Sequence, residues 1–162
     1  MTAAVRFEVR TSFDASPRRV WDAMIDWEGH GRWIPATRMD VAPGDSTAVG
    51  AELTAFTGYG PLTLEDHMRI TECSWDDAES IGRCEVEKLG PVLRGRAGFT
   101  VVPEGTGAAV VWLEDVTVPY APGLSAPVIA KLSATGFQLA MRKLATIVEA
   151  SPSDGGRSSV GA

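Results

Sequence analysis

Apolar and polar residues alternate along residues 5–13, with Val5, Phe7 and Val9 set against Arg6, Glu8 and Arg10. That period of two predicts a strand with one buried face. The rhythm then changes. Ser16 stands where a helix cap belongs, Pro17 fits the first helical position, and Val20, Trp21 and Met24 recur at helical spacing. Residues 26–35 contain Gly29 and Gly31 and close on Trp33-Ile34-Pro35, which predicts a second short helix or helical turn ended by the proline. From Thr37 the period returns to two, and strands are predicted over residues 37–41, 51–57, 62–75, 80–88, 92–102 and 108–118. Turn chemistry separates them: Pro43-Gly44-Asp45, Gly58-Tyr59-Gly60-Pro61, Asp76-Asp77, Gly90-Pro91 and Pro103-Glu104-Gly105-Thr106-Gly107. Such short connections join consecutive antiparallel hairpins. Residues 124–150 read as one long helix, with Val128, Leu132 and Leu139 on one apolar stripe and Phe137, Met141, Leu144 and Val148 on another.

The order is strand, two short helices, six strands and a long helix. A meandering sheet with an uncovered apolar face needs a helix across it, and only the last element is long enough. The expected fold is α+β, a helix grip of the form β-α-α-β6-α, in which a curved seven-stranded antiparallel sheet wraps around the C-terminal helix. It forms one domain over residues 1–150. Residues 151–162 are rich in Ser and Gly and predict a disordered tail.

Composition narrows the partners. Of the 162 residues 44% are hydrophobic and 22% charged, an ordinary globular balance. The net charge of −6, with no run of Lys and Arg, speaks against nucleic acid and against an anionic membrane surface. No apolar stretch approaches the roughly 20 residues that cross a bilayer, so no stable membrane insertion is expected. Residues 1–10 lack the apolar core of a secretory signal, and the expected location is cytoplasmic. Cys73 and Cys84 have no metal-type spacing. Strand parity puts them on opposite faces of neighbouring strands, as two quiet thiols.

Several phrases carry a resemblance. Asp14-Ala15-Ser16-Pro17 followed by Val20-Trp21, and His30-Gly31-Arg32-Trp33-Ile34-Pro35, resemble the START-like superfamily, in particular its polyketide cyclase/dehydrase and lipid-transport branch. Gly58-Tyr59-Gly60-Pro61-Leu62, Gly82-Arg83-Cys84 and Val110-Val111-Trp112 add to it, and the likeness covers about residues 5–149. The resemblance implies the helix-grip fold. It implies no single activity, because that superfamily includes lipid carriers, plant-hormone and coenzyme Q binders, polyketide aromatases and cyclases, and chaperone activators, with no catalytic motif in common.

Strand parity proposes the inner face. It comprises Leu53, Ala55, Thr57 and Tyr59; Leu62, Leu64, Asp66, Met68 and Ile70; Cys84, Val86 and Lys88; and Leu93, Gly95, Ala97, Phe99 and Val101. Both parities of residues 108–118 are apolar, and Val110, Trp112, Glu114 and Val116 are preferred because the other set includes Asp115 and Thr117. The small residues Ala55, Gly95 and Ala97 leave room for a cavity, or else for close approach of the helix at Gly136 and Ala140. The candidate ligand-binding set is Trp33, Leu53, Ala55, Thr57, Tyr59, Asp66, Met68, Lys88, Gly95, Ala97, Phe99, Trp112, Glu114, Leu132, Gly136 and Leu139.

Asp66, Lys88 and Glu114 are the sharp feature, since buried charge costs several kcal/mol unless it is paired. They form a structural ion pair, lie at a solvated rim, or anchor a ligand's hydroxyl or carbonyl. His30 is expected in a solvated loop and His67 on the outer face, and neither has a second ligand at metal spacing. Nothing in the sequence calls for a metal or a cofactor. There is no Gly-x-Ser-x-Gly elbow and no phosphate-binding glycine loop. The expected function is binding or carriage of a hydrophobic small molecule such as a lipid, quinone or polyketide. The alternative is a cyclase or aromatase using Asp66, Glu114 or Tyr59 as acid or base. A third class, an interaction module, would have a filled interior and an apolar patch outside.

Overall fold

Strict alternation makes the first strand, β1 (Thr2–Phe13), bury Ala3, Val5, Phe7, Val9, Thr11 and Phe13 and leave the intervening residues outside. A computed structural model describes residues 1–151; the expected tail lies, beyond Ser151, outside the described residues. Helix α1 (Pro17–Ile25) follows and buries Val20, Trp21 and Met24. Ser16 occupies its cap position with extended backbone but makes no side-chain capping bond, so Pro17 at the first turn is the local start signal that operates. A 3-10 turn over Glu28–Arg32 leads into β2 (Thr37–Val41) and β3 (Glu52–Thr57). Then come β4 (Leu64–Asp76), β5 (Ile81–Leu89), β6 (Arg94–Glu104), β7 (Gly107–Pro119) and the helix α2 (Ala126–Ala150).

The seven strands form one antiparallel sheet in the order β1-β7-β6-β5-β4-β3-β2. The fold is therefore the expected helix grip. Successive hairpins generate most of the order, while β1 returns to the far edge and pairs with β7 from Thr2↔Pro119 to Phe13↔Ala108. The C-terminal half of α2 buries Ala140, Met141, Leu144 and Val148 against the sheet and α1. Trp21 lies over Gly82, where an added Cβ would sit 2.1 Å from the indole, so only glycine admits the ring at that point.

The strand parity departs from expectation at one bulge. The register of β4 with β5 shifts between Ile70 and Glu72, and Cys73 consequently sits directly opposite Cys84 on the same face. Both are free thiols. The facing Cys84 thiol lowers the Cys73 pKa, while Cys73 and burial raise that of Cys84. Gly95 also has a role other than the one expected. Its φ is +133°, and an added Cβ would meet the Asp115 carbonyl oxygen at 2.3 Å, so it serves the close approach of β6 to β7.

Candidate functional site

Two packed zones divide the interior. One centres on α1, the C-terminal half of α2 and strands β2 to β7; the other joins Ala3, Val5, Phe7, Val9 and Val116 to Ile129, Ala130, Ala134 and Phe137 of α2. Beside them, walled by the sheet and by Ile129, Ser133 and Phe137 of α2, lies a cavity of about 440 Å³. That is within the range of sites for small molecules, roughly 300–1,000 Å³. The filled interior required of a pure interaction module is absent.

Five aromatic rings run along the wall. Trp27 is 6.3 Å from Phe99, Phe99 stacks on Trp112 at 5.9 Å, Trp112 on Phe137 at 4.7 Å, and Phe137 meets Phe7 at 5.7 Å. Aliphatic wall comes from Val5, Met39, Met68, Val86, Val116 and Ile129, among others.

Against this apolar surface stand three residues with charged side chains, Asp66, Lys88 and Glu114, each buried to at most 7% exposure over the whole residue. Strand geometry brings them together: Lys88 on β5 faces Gly95 of β6, and Glu114 on β7 faces Ala97 of β6. Nothing larger than a methyl group on β6 separates the ammonium from the Glu114 carboxylate. Lys88 Nζ donates to Asp66 Oδ2 and, at 3.4 Å, to Met68 Sδ, and lies 3.7 Å from Glu114 Oε1. Trp112 Nε1 donates to Glu114 Oε2 at 3.4 Å. Asp66 Oδ1 is buried and has no hydrogen-bond partner among the described residues.

Residues 4–149 match the family model described as polyketide cyclase/dehydrase and lipid transport. The chain belongs to that family. A comparison with curated protein sequences finds no match. Among solved structures, TTHA0849 from Thermus thermophilus is similar at a TM-score of 0.67 and 22% identity, covering 93% of this chain and 99% of that one. CV1439 from Chromobacterium violaceum gives 0.63 and 19%, covering 90% and 98%. Ara h 8.0201 gives 0.59 and 16%, covering 92% and 100%. At such identities these likenesses support the START-like fold alone. Membership of the cyclase/dehydrase and lipid-transport family adds hydrophobic-ligand binding as a general property.

In this cyclase/dehydrase and lipid-transport domain the cavity gathers Ala55, Thr57, Asp66, Met68, Lys88, Ala97, Phe99, Trp112 and Glu114 from the expected set. The others stand elsewhere. Leu53 is core, 1% exposed. Trp33 is also core and borders a smaller groove of about 240 Å³ between α1 and the end of α2. Tyr59 is 80% exposed, because β3 ends at Thr57 and the turn carries the ring outward. Gly95 faces the β7 backbone, as described. Leu132, Gly136 and Leu139 lie on the outer side of α2, which turns Ile129, Ser133 and Phe137 to the cavity instead.

Sequence reasoning missed Val5 and Phe7, whose strand lines the cavity only because β1 pairs with β7. It also missed Ile34, Thr37 and Met39, took Trp27 no further than an entrance or core residue, and misplaced His30 in solvent. His30 is 3% exposed, packed between Trp27 at 5.2 Å and Trp33 at 4.8 Å, and lines the cavity. Its Nε2 donates to the Met24 carbonyl at 2.9 Å, and burial lowers its pKa although that bond pulls the other way. The spacing of two tryptophans three residues either side of His30 was the available signal. His67 stands outside the cavity as expected, 3.3 Å from Glu52.

Proposed function

We propose that this domain binds and carries an apolar small molecule in the cavity between the sheet and α2. The observation that carries the reading is the cavity itself, about 440 Å³ with five aromatic rings along its wall and one compact charged cluster. Apolar walls give affinity and a few fixed polar groups give orientation, the usual division of labour in such sites. A lipid, a quinone or a polyketide-like molecule fits that description. The acidic net charge supports a protein that makes no use of nucleic acid. Two unbridged cysteines suit a reducing compartment, which supports a cytoplasmic location.

A second reading, a cyclase or aromatase acting on a polyketide-like chain, is favoured by the carboxyl groups of Asp66 and Glu114 in the cavity wall. It is weakened by the tyrosines: the chain has two, Tyr59 and Tyr120, and both are exposed. Native mass spectrometry of protein purified without detergent, followed by denaturing extraction, tests the leading reading. The expected result is an apolar species of defined mass that leaves on denaturation. A protein that carries none, and gains none when offered an apolar aromatic, would overturn it. Turnover of the extracted species on incubation would favour the enzyme.

A further inference from the structure

We infer that the molecule held in this cavity presents a hydrogen-bond donor, a hydroxyl, phenol or protonated amine, to the carboxyl pair Asp66 and Glu114, and that carboxylate ligands are rejected. The inference rests on the cavity-binding reading and deepens it. Its basis is a count of donors and acceptors in the cavity wall.

The cluster supplies one ammonium to two carboxyl groups. The Lys88 Nζ protons are directed at Asp66 Oδ2, at Met68 Sδ and towards Glu114 Oε1. Trp112 Nε1 is directed at Glu114 Oε2 and Trp27 Nε1 at the Ser46 carbonyl, which leaves the Ser133 hydroxyl of α2, itself donor and acceptor, as the further polar group of the wall. The acceptors outnumber these donors. Asp66 Oδ1 is buried without a partner on a side chain more than nine-tenths buried, and Glu114 Oε1 lies beyond hydrogen-bond distance of Nζ. His30 adds to the same side, since donation from Nε2 to the Met24 carbonyl leaves its Nδ1 an acceptor. Thr57, whose hydroxyl could have served as a donor, is engaged with the Thr37 hydroxyl at 2.9 Å.

An unpaired buried acceptor costs free energy that a donor recovers, and a charged acceptor gives a stronger bond than a neutral one. An incoming carboxylate sets acceptor against acceptor and a negative charge beside two carboxyl groups, with the only ammonium already engaged. Neutral and cationic donors share the recognised chemistry, and they differ in whether affinity depends on charge.

The test is a matched series on one ring: 2-methylnaphthalene, 2-naphthol, 2-(aminomethyl)naphthalene and 2-naphthoate, titrated by calorimetry against the full-length protein at pH 7. The expected order places 2-naphthol or the amine roughly tenfold or more tighter than 2-methylnaphthalene, with 2-naphthoate weakest. A lead for the naphthol assigns a neutral hydroxyl as the head group; a lead for the amine, lessened by salt, assigns a cation. Asp66→Asn turns part of the acceptor surface into a donor, and should shrink the advantage of both over 2-methylnaphthalene measured on the same variant. The wild-type series stands whether or not that variant folds. Equal affinities across the series, or 2-naphthoate tightest, would overturn the inference and leave the cavity reading intact. Failure of all four probes to bind would overturn the cavity reading and this inference with it.

Discussion

Replacing Lys88 with methionine removes the cation from the buried cluster while shortening the side chain by one atom and keeping most of its volume. In the native protein the Lys88 side chain is 6% exposed, Asp66 9% and Glu114 8%, so solvent screens none of the three. Because methionine fills most of the same space, the cavity term of an ordinary truncation is small, and the effect reports the stranded carboxyl groups. Breaking one partner out of a buried ion pair costs about 3–5 kcal/mol. For a chain of this size each kcal/mol lowers Tm by about 2–4 °C, so Lys88→Met should melt roughly 6–20 °C below the parent. Urea unfolding followed by tryptophan fluorescence measures it, with the slope checked for constancy so that the midpoint shift reads as stability. Adding Asp66→Leu to Lys88→Met should recover part of the loss, since an apolar side chain no longer requires a cation. A single variant within 1 kcal/mol of the parent at pH 7 would refute the reasoning, because the cluster would then be solvated rather than buried.

Three further outcomes follow from the geometry. His30, with its pKa held below the ordinary 6.5 by burial, binds fewer protons folded than unfolded. Stability should therefore fall as pH drops below about 6.5, by up to about 1.4 kcal/mol per pH unit until the folded ring titrates, and His30→Gln should flatten that slope in urea melts from pH 7 to 5. An unchanged slope would assign the acid loss to other groups. Cys73, its thiolate favoured by the Cys84 S–H, should react with iodoacetamide at pH 8 well before Cys84, and Cys84→Ala should slow it. Peptide mass spectrometry finding Cys84 labelled first would reverse the assignment. Gly95→Ala meets both a φ of +133° and the Asp115 carbonyl at 2.3 Å, and should cost about 1–3 kcal/mol of stability in urea. A neutral result would mean that β6 and β7 part without penalty.

Strand parity made most of the cavity legible in the sequence. Once hairpins were assigned, a period of two carried Asp66, Lys88 and Ala97 to one face, and Glu114 joined them by a choice between two apolar parities, made because the other set holds Asp115 and Thr117. The same rule failed where one residue was inserted: the bulge after Ile70 reverses the parity of Cys73, and no turn signal marks it. The helix was harder. Residues 126–150 are apolar around much of the circumference, and each residue turns the face by about 100°, so counting leucines selected Leu132 and Leu139. The structure instead brings the smaller Ala130, Ser133 and Ala134 towards the sheet, because the helix must come close to β1. His30 was misplaced for a different reason. Flanking glycines read as a loop, yet they form a tight 3-10 turn: added Cβ atoms at Gly29 and Gly31 would sit 2.2 Å from Asp26 and 2.6 Å from the Thr37 carbonyl. Tertiary closeness of this kind leaves no local pattern to read.

The pairing of β1 with β7 also sets a timetable. β1 is an edge strand whose sole neighbour in the sheet is the last strand to be made, so Val5, Phe7 and Val9 leave the ribosome with nothing to cover them. At ordinary rates of synthesis their partner follows on the order of ten seconds later, an interval in which an alternating apolar segment is open to wrong pairings. Closing so distant a pair is slow in itself, since the loop entropy must be met before any contact returns it. The cavity, two of whose walls are β1 and β7, therefore comes into being only at the end of folding. A ligand present during synthesis would meet a finished site or none.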